Sequence, residues 1–300
     1  MNALHSIAGG LAALALLLSS FALHAQPTEA ARAEFRAAVD AANKASVDGP
    51  SDIKLVDQAL LKLPAGLTYI PEKEAGRLLV AMGNRMGEGL LGMVIPQADN
   101  QRWFVVMRFE KSGFIKDEEA KDWKVDEMLA SFKAGTEEAN KERRARGISE
   151  MEIVGWVERP LYDPSTHRLV WSMESKDKGA PDTEERGVNY NTYALGREGY
   201  VSMNLVTGMR TVAAEKPIAR DLLAALQYHD GKRYADFNSA TDHVAEYGIA
   251  ALVGGFAAKK LGLLAVIFAF LLKFWKILAL AVVGLGALVP RILKKKTPPA

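Results

Sequence analysis

The sequence contains no cysteine. That absence removes disulfides, thiolate nucleophiles and thiolate metal sites together, and it suits an oxidising compartment. Acidic residues are missing from both ends, since residues 1–25 and 259–300 hold no Asp or Glu. Eight of the 38 Lys and Arg fall in 259–300, so the stretch between the ends carries 30 basic residues against 36 acidic ones, a balance of −6 beneath an overall formal charge of +2. A domain so charged lacks the cationic surplus that releases counterions from phosphates, which excludes nucleic acid as a general partner. An unbroken apolar run near the C-terminus is missing too. Lys259, Lys260, Lys273 and Lys276 cut the stretch from Tyr247 to Val289, leaving pieces of 12 and 13 residues. Neither piece alone makes the roughly 20-residue helix that spans a bilayer core.

What is present is apolar enough to fold: 49% of the 300 residues are hydrophobic, which allows one large domain or two modest ones. Ile7 to Leu18 is an Ala/Leu-rich run followed by Ser19, Ser20 and a small-residue site ending at Ala25, the pattern of an export signal with an uncharged first segment. A buried Ala/Leu helix is the alternative. At the other end, a single tilted span through 261–289 leaves Lys259 and Lys260 outside and the terminal basic cluster in the cytoplasm, in keeping with the positive-inside tendency. A hairpin turning near Phe274 and Trp275 is the competing topology. Lys273 and Lys276 lie three apart and share one helix face, which in a membrane turns toward a second helix or another copy of the chain. The expected organisation is a signal peptide at 1–25, a periplasmic α+β domain at 26–240, a membrane-anchoring helical region at 241–293 in a bacterial inner membrane, and a basic tail at 294–300.

Within the body, Thr28 to Val47 reads as a helix ended by Asp48-Gly49-Pro50-Ser51. Apolar residues at period two around Ile53, Leu55, Leu61 and Leu63, and then Leu67 to Ile70, predict short strands. Pro71 opens a helix with Ala75, Leu78, Leu79 and Met82 on one face and Gly83 at its left-handed end. Met93 to Ile95 and Trp103 to Phe109 are strands; Val125 to Arg146 is a helix stopped by Gly147. Strands follow at Ile153–Val157, Leu169–Met173, Tyr190–Leu195 and Tyr200–Val206, then a last helix from Pro217 to Tyr228. Strands in runs with helices outside them predict an α+β fold with a mostly antiparallel sheet.

No motif commits the chain to a chemistry. Gly87-Glu88-Gly89-Leu90-Leu91-Gly92 matches GxGxxG, but it follows a helix and leads into a strand, the reverse of a dinucleotide site. His167, His229 and His243 have no metal-ligand spacing. Asp230, Asp236 and Asp242 recur every six residues, whereas a calcium loop needs oxygens at every second position. Arg143, Arg144 and Arg146 crowd a helix end, where cations complement the dipole. No cofactor, metal or catalytic set is expected. The polar aromatic strand Asn189, Tyr190, Asn191, Tyr193, with Arg197 in the following turn, is the candidate interaction surface, because those side chains join hydrogen bonding to amphipathic contact area. The alternative is an ordinary hairpin with one solvated face.

The stretches LKLPAGLTYIP, EEANKERRARGI, VGWVERPLYDPSTHRLVW, VNYNTYALGREGYVSMNLVTG and GKRYADFNSATDHVAEYGIAALVGG resemble a bacterial family of proteins of unknown function, DUF2167, described as predicted membrane-anchored proteins. The resemblance implies the tethered architecture and brings no activity, ligand or catalytic residue with it. Two classes therefore stand: a non-catalytic envelope-associated binding module, which is favoured, and a hydrolase acting on an envelope polymer or peptide. The export signal makes one outcome specific. N-terminal sequencing of the membrane-fraction protein is expected to start at Gln26, and a product that retains Met1 overturns the cleavage.

Overall fold

The computed structural model describes residues 28–253 apart from 85, 86, 146 and 148. The expected signal, the anchoring region beyond 253, Lys273 and Lys276, and the basic tail lie outside the described residues. Among the described residues no helix is long and apolar enough to cross a membrane.

The chain opens with α1 (Glu29–Ala45), capped by the Thr28 hydroxyl accepting from Ala31 N at 3.2 Å. Strands β1 (Val47–Asp48), β2 (Ser51–Leu55), β3 (Ala59–Leu63) and β4 (Leu67–Pro71) lead to α2 (Glu72–Ala81). Pro71 caps the start of α2 and Gly83, at φ +81, closes its end. Next come β5 (Leu90–Pro96), β6 (Phe104–Glu110), a 3-10 turn at Glu118–Asp122, and α3 (Val125–Ala145). A run of four strands follows: β7 (Met151–Asp163), β8 (Arg168–Asp177), β9 (Gly187–Leu195) and β10 (Tyr200–Gly208). Then α4 (Val212–Ala225) passes directly into β11 (Leu226–Tyr228).

Eight strands form one antiparallel sheet in the order β1-β4-β5-β6-β10-β9-β8-β7, and β11-β3-β2 form a second, smaller one. The fold is α+β with a large antiparallel sheet and flanking helices, as the patterning predicted. Strand β10 shows why: its burial alternates at every residue, with Val201, Met203 and Leu205 on one face. That face packs against the small sheet and Leu222 and Leu223 of α4. The opposite face is covered twice, by Phe35, Ala38 and Ala42 of α1 with Leu78 and Leu79 of α2 at one end. At the other end α3 covers it, together with the segment that carries Ile249, Leu252 and Val253.

Three boundaries differ from the sequence reading. Strand β7 runs thirteen residues, through Pro160, because it is the outermost strand and a missing N–H there breaks no ladder; three register shifts bend it. Helix α4 begins at Val212 rather than Pro217, with Pro217 forfeiting a single backbone bond inside it. The residues from Leu226 to Tyr228, expected to be helical, are a strand, because pairing with Ala59 to Leu61 holds them extended. The packed domain also runs past residue 240. Phe114 bridges to Val244, and Ile249 is fully buried.

Burial predicts the cost of truncation. Leu61, with no exposed surface, joins the small sheet to the large one, and Leu61→Ala should lose about 2–5 kcal/mol in urea unfolding. Leu161→Ala, on the outer strand and 61% exposed, should stay within about 0.5 kcal/mol.

Candidate functional site

The turn from β7 to β8 reads Asp163-Pro164-Ser165-Thr166-His167, and its own side chains shape it. Asp163 Oδ1 accepts from the Ser165 backbone N–H at 2.9 Å and from its hydroxyl at 2.6 Å, while Oδ2 accepts from the Thr166 hydroxyl at 2.8 Å. These donors favour the ionised form: the Ser165 and Thr166 hydroxyls first, then the Ser165 amide, hold the carboxyl down at about 2. The turn ends at His167 with φ +53, a left-handed conformation that costs a non-glycine residue roughly 1 kcal/mol.

That strain brings the imidazole to a defined place. The Tyr162 hydroxyl donates to Asp117 Oδ2 at 2.5 Å and lies 3.1 Å from His167 Nδ1. A phenol has one proton, so with that proton donated to Asp117 the second contact has Nδ1–H donating to the phenol oxygen. Burial, then the bond to Asp117, raises the Tyr162 phenol far above its ordinary range. The His167 ring stacks on Tyr234 at 4.0 Å, Tyr234 meets Phe114 at 4.4 Å with the rings tilted by 35°, and Phe114 stacks on Phe237 at 3.8 Å. Tyr234 also donates to Ile115 O at 2.8 Å. The β7–β8 turn, the 114–115 segment and the 234–237 turn are thus one stack of rings.

Between this stack and the small sheet lies a solvent-open cleft of about 510 Å³. Its walls are the turn at Ser165 to Arg168, Ala194 of β9, all of β11, and the Arg233 to Ala235 turn. Its size falls within the range of small-ligand sites. Two arginines and one histidine line it, with no Asp or Glu. The Ser165 and Thr166 hydroxyls at its mouth are engaged by Asp163, so neither is positioned as a nucleophile for His167. Among the described residues no group of three or more His, Asp or Glu is placed to hold a metal ion.

The five residues of the expected interaction surface do not share one place. Alternation along β9 sets Asn189, Asn191 and Tyr193 on one face of the sheet and Tyr190 on the other. Tyr190 is fully buried; its hydroxyl accepts from Arg220 Nε at 2.8 Å and donates to Glu158 at 3.3 Å. Asn191 is buried and Asn204 Nδ2 donates to Asn189 Oδ1 at 3.2 Å, so amides pair across the two central strands. Tyr193 lies among the aromatics beneath α3, 6.3 Å from the Trp171 ring. Arg197 forms a two-pronged bond to Asp242, at 2.7 and 2.8 Å, and donates to Gly231 O at 3.2 Å. That fork, with the Asn238 amide and the Thr241 hydroxyl, holds the Asp242 carboxyl well below the usual carboxylate range. Arg197 therefore anchors the loop behind the cleft.

The remaining sequence features resolve locally. Asp230 pairs with Arg233, and Asp236 accepts from Arg233 N at 3.0 Å, so the acidic repeat is spent on turns. The glycines of GxGxxG serve the sheet: Gly89, at φ +69, has no room for a Cβ beside Phe109 O. Sequence reasoning missed the cleft because its lining comes from four separated segments; the one local signal was the turn-forming DPSTH ahead of a strand.

A family model described as "Protein of unknown function (DUF2167)" matches residues 47–286, and the chain belongs to that family. No curated protein matches it. Among solved structures the chain is similar to cyanobacterial PsbP (CyanoP) from Synechocystis sp. PCC 6803, at 10% identity and a TM-score of 0.36, covering 61% of this chain and 91% of that one. It is also similar to the Ran-binding protein Mog1p of Saccharomyces cerevisiae, at 8% identity and a TM-score of 0.33, covering 59% and 94%. Likenesses this shallow transfer no function.

The Asp163 network makes a pH outcome specific. A carboxyl lowered from 3.8 to about 2 contributes stability that is present above the ordinary value and lost as pH falls through about 2. Carboxyl ¹³C shifts should find Asp163 still ionised at pH 3, where an ordinary aspartate, titrating at about 3.9, is mostly protonated. A midpoint near 4 contradicts the network.

Proposed function

Because the family carries no assigned activity, function has to be argued from the site: we propose that the domain is a non-catalytic binding module that engages its ligand in the cleft between β11 and the β7–β8 turn. The observation that carries this is a cleft lined by Arg168, Arg233 and His167 whose Ser165 and Thr166 hydroxyls are bonded to Asp163. His167 is held by Tyr162 and stacked on Tyr234, which suits a fixed contact surface. The nearby hydroxyls are tied to Asp163 rather than to the imidazole. The proposal includes the tether: an exported domain held at a bacterial inner membrane by its C-terminal region, with an envelope component as the ligand. Lys273 and Lys276 are the proposed face toward a second membrane helix or another copy of the chain.

The competing reading, an envelope hydrolase, has one feature in its favour, since the His167 Nδ1 to Asp117 Oδ2 separation of 3.5 Å resembles a base beside its orienting acid. Among the described residues no serine or threonine hydroxyl is hydrogen-bonded to that base. A photocrosslinking residue at exposed Gln227, in the cleft, should give adducts in intact cells, whereas one at exposed Val80 on α2 should not. Equal labelling from both positions, or a peptide-cleaving activity that His167→Ala abolishes, overturns the binding reading.

A further inference from the structure

The cleft's charge points to the chemistry of what it holds. In this acidic domain two half-buried arginines have a carboxylate of their own: Arg186 has Glu174 at 2.6 Å and Arg197 has Asp242 at 2.7 Å. Arg168 differs. Its described bond is from Nη2 to Leu226 O at 3.5 Å, the long limit for such a contact, and it has no carboxylate partner among the described residues. The side chain is nevertheless partly buried in the cleft wall. Arg233, also in the lining, is paired with Asp230. Arg168 thus brings to the cleft a positive charge with no carboxylate of its own among the described residues. A carboxylate meets that charge and can accept from two donors of the guanidinium fork at once.

The wall beside Arg168 narrows the class further. Strand β11 is the outer strand of the small sheet, paired with β3 on one side only, and all three of its residues line the cleft. A strand with one unpaired edge offers backbone donors and acceptors to an extended chain. Resting on the cleft as the contact region, we infer that the site binds the C-terminal end of an extended peptide, with the terminal carboxylate on the Arg168 guanidinium and the last residues along β11. The forked donors of arginine suit a carboxylate in a way that lysine does not.

The test uses the full-length chain and three probes in calorimetric titration: acetyl-trialanine with a free carboxylate, the same peptide as its C-terminal amide, and inorganic phosphate. The free acid is expected to bind, with the amide and phosphate each at least tenfold weaker. Arg168→Gln should weaken the acid by at least tenfold without changing the thermal melt, and Arg168→Lys, which keeps the charge but not the fork, should fall between. Arg210→Gln, which removes an exposed arginine paired with Glu185 outside the cleft, should leave binding unchanged. Equal binding of acid and amide, phosphate as tight as the acid, or indifference to both Arg168 variants overturns the inference. If the peptide acid fails while the residue-227 crosslinks persist, the carboxylate assignment falls and the binding module stands; if both fail, both fall.

Discussion

The architecture depends on one constraint: the central strands β6, β10 and β9 carry apolar side chains on both faces, so the sheet has to be covered twice. Antiparallel sheets often leave one face to water, but here Val201, Met203 and Leu205 alternate with Tyr200 and Val206, and each set has its own core. Helix α4 and the small sheet supply one cover, and α1, α2, α3 and the segment carrying Ile249, Leu252 and Val253 supply the other. The cleft lies beside β11, between that strand, residues 165–168, Ala194 of β9 and the 233–235 turn.

The cleft keeps its shape because the segments around it are tied by interactions of different kinds. Ring stacking joins His167, Tyr234, Phe114 and Phe237 across stretches distant in sequence. Arg197 fixes the loop behind them through Asp242. Lys232 bridges Glu198 in the β9–β10 turn, at 2.6 Å, and Asp57 in the β2–β3 turn, at 3.0 Å, joining the two sheets at the same end. The backbone strain at His167 is tolerated in this setting, since the turn bonds of Asp163 and the stack over-determine its conformation.

Period-two and helical patterns determined much of the molecule without any structure. The antiparallel α+β class, α1, α2 with its Gly83 end, α3 and the four late strands follow from local alternation, capping and turn residues, because those signals act within a few residues of the chain. The GxGxxG reading as a sheet-side loop followed from the order of its neighbours. What the sequence by itself did not determine is whatever pairing and packing chose among local options. Leu226 to Tyr228 continue a helical composition yet become β11, because Ala59 to Leu61 present an edge to them. Asn189, Tyr190, Asn191 and Tyr193 read as one surface but are divided between two faces by the pleat, with Tyr190 in the core. Arg197 and Arg168 look alike as isolated cations; the fold gives one a carboxylate and leaves the other a carbonyl 3.5 Å away. Partner choice of that kind is set by which segments meet in space, and no spacing along a single strand encodes it.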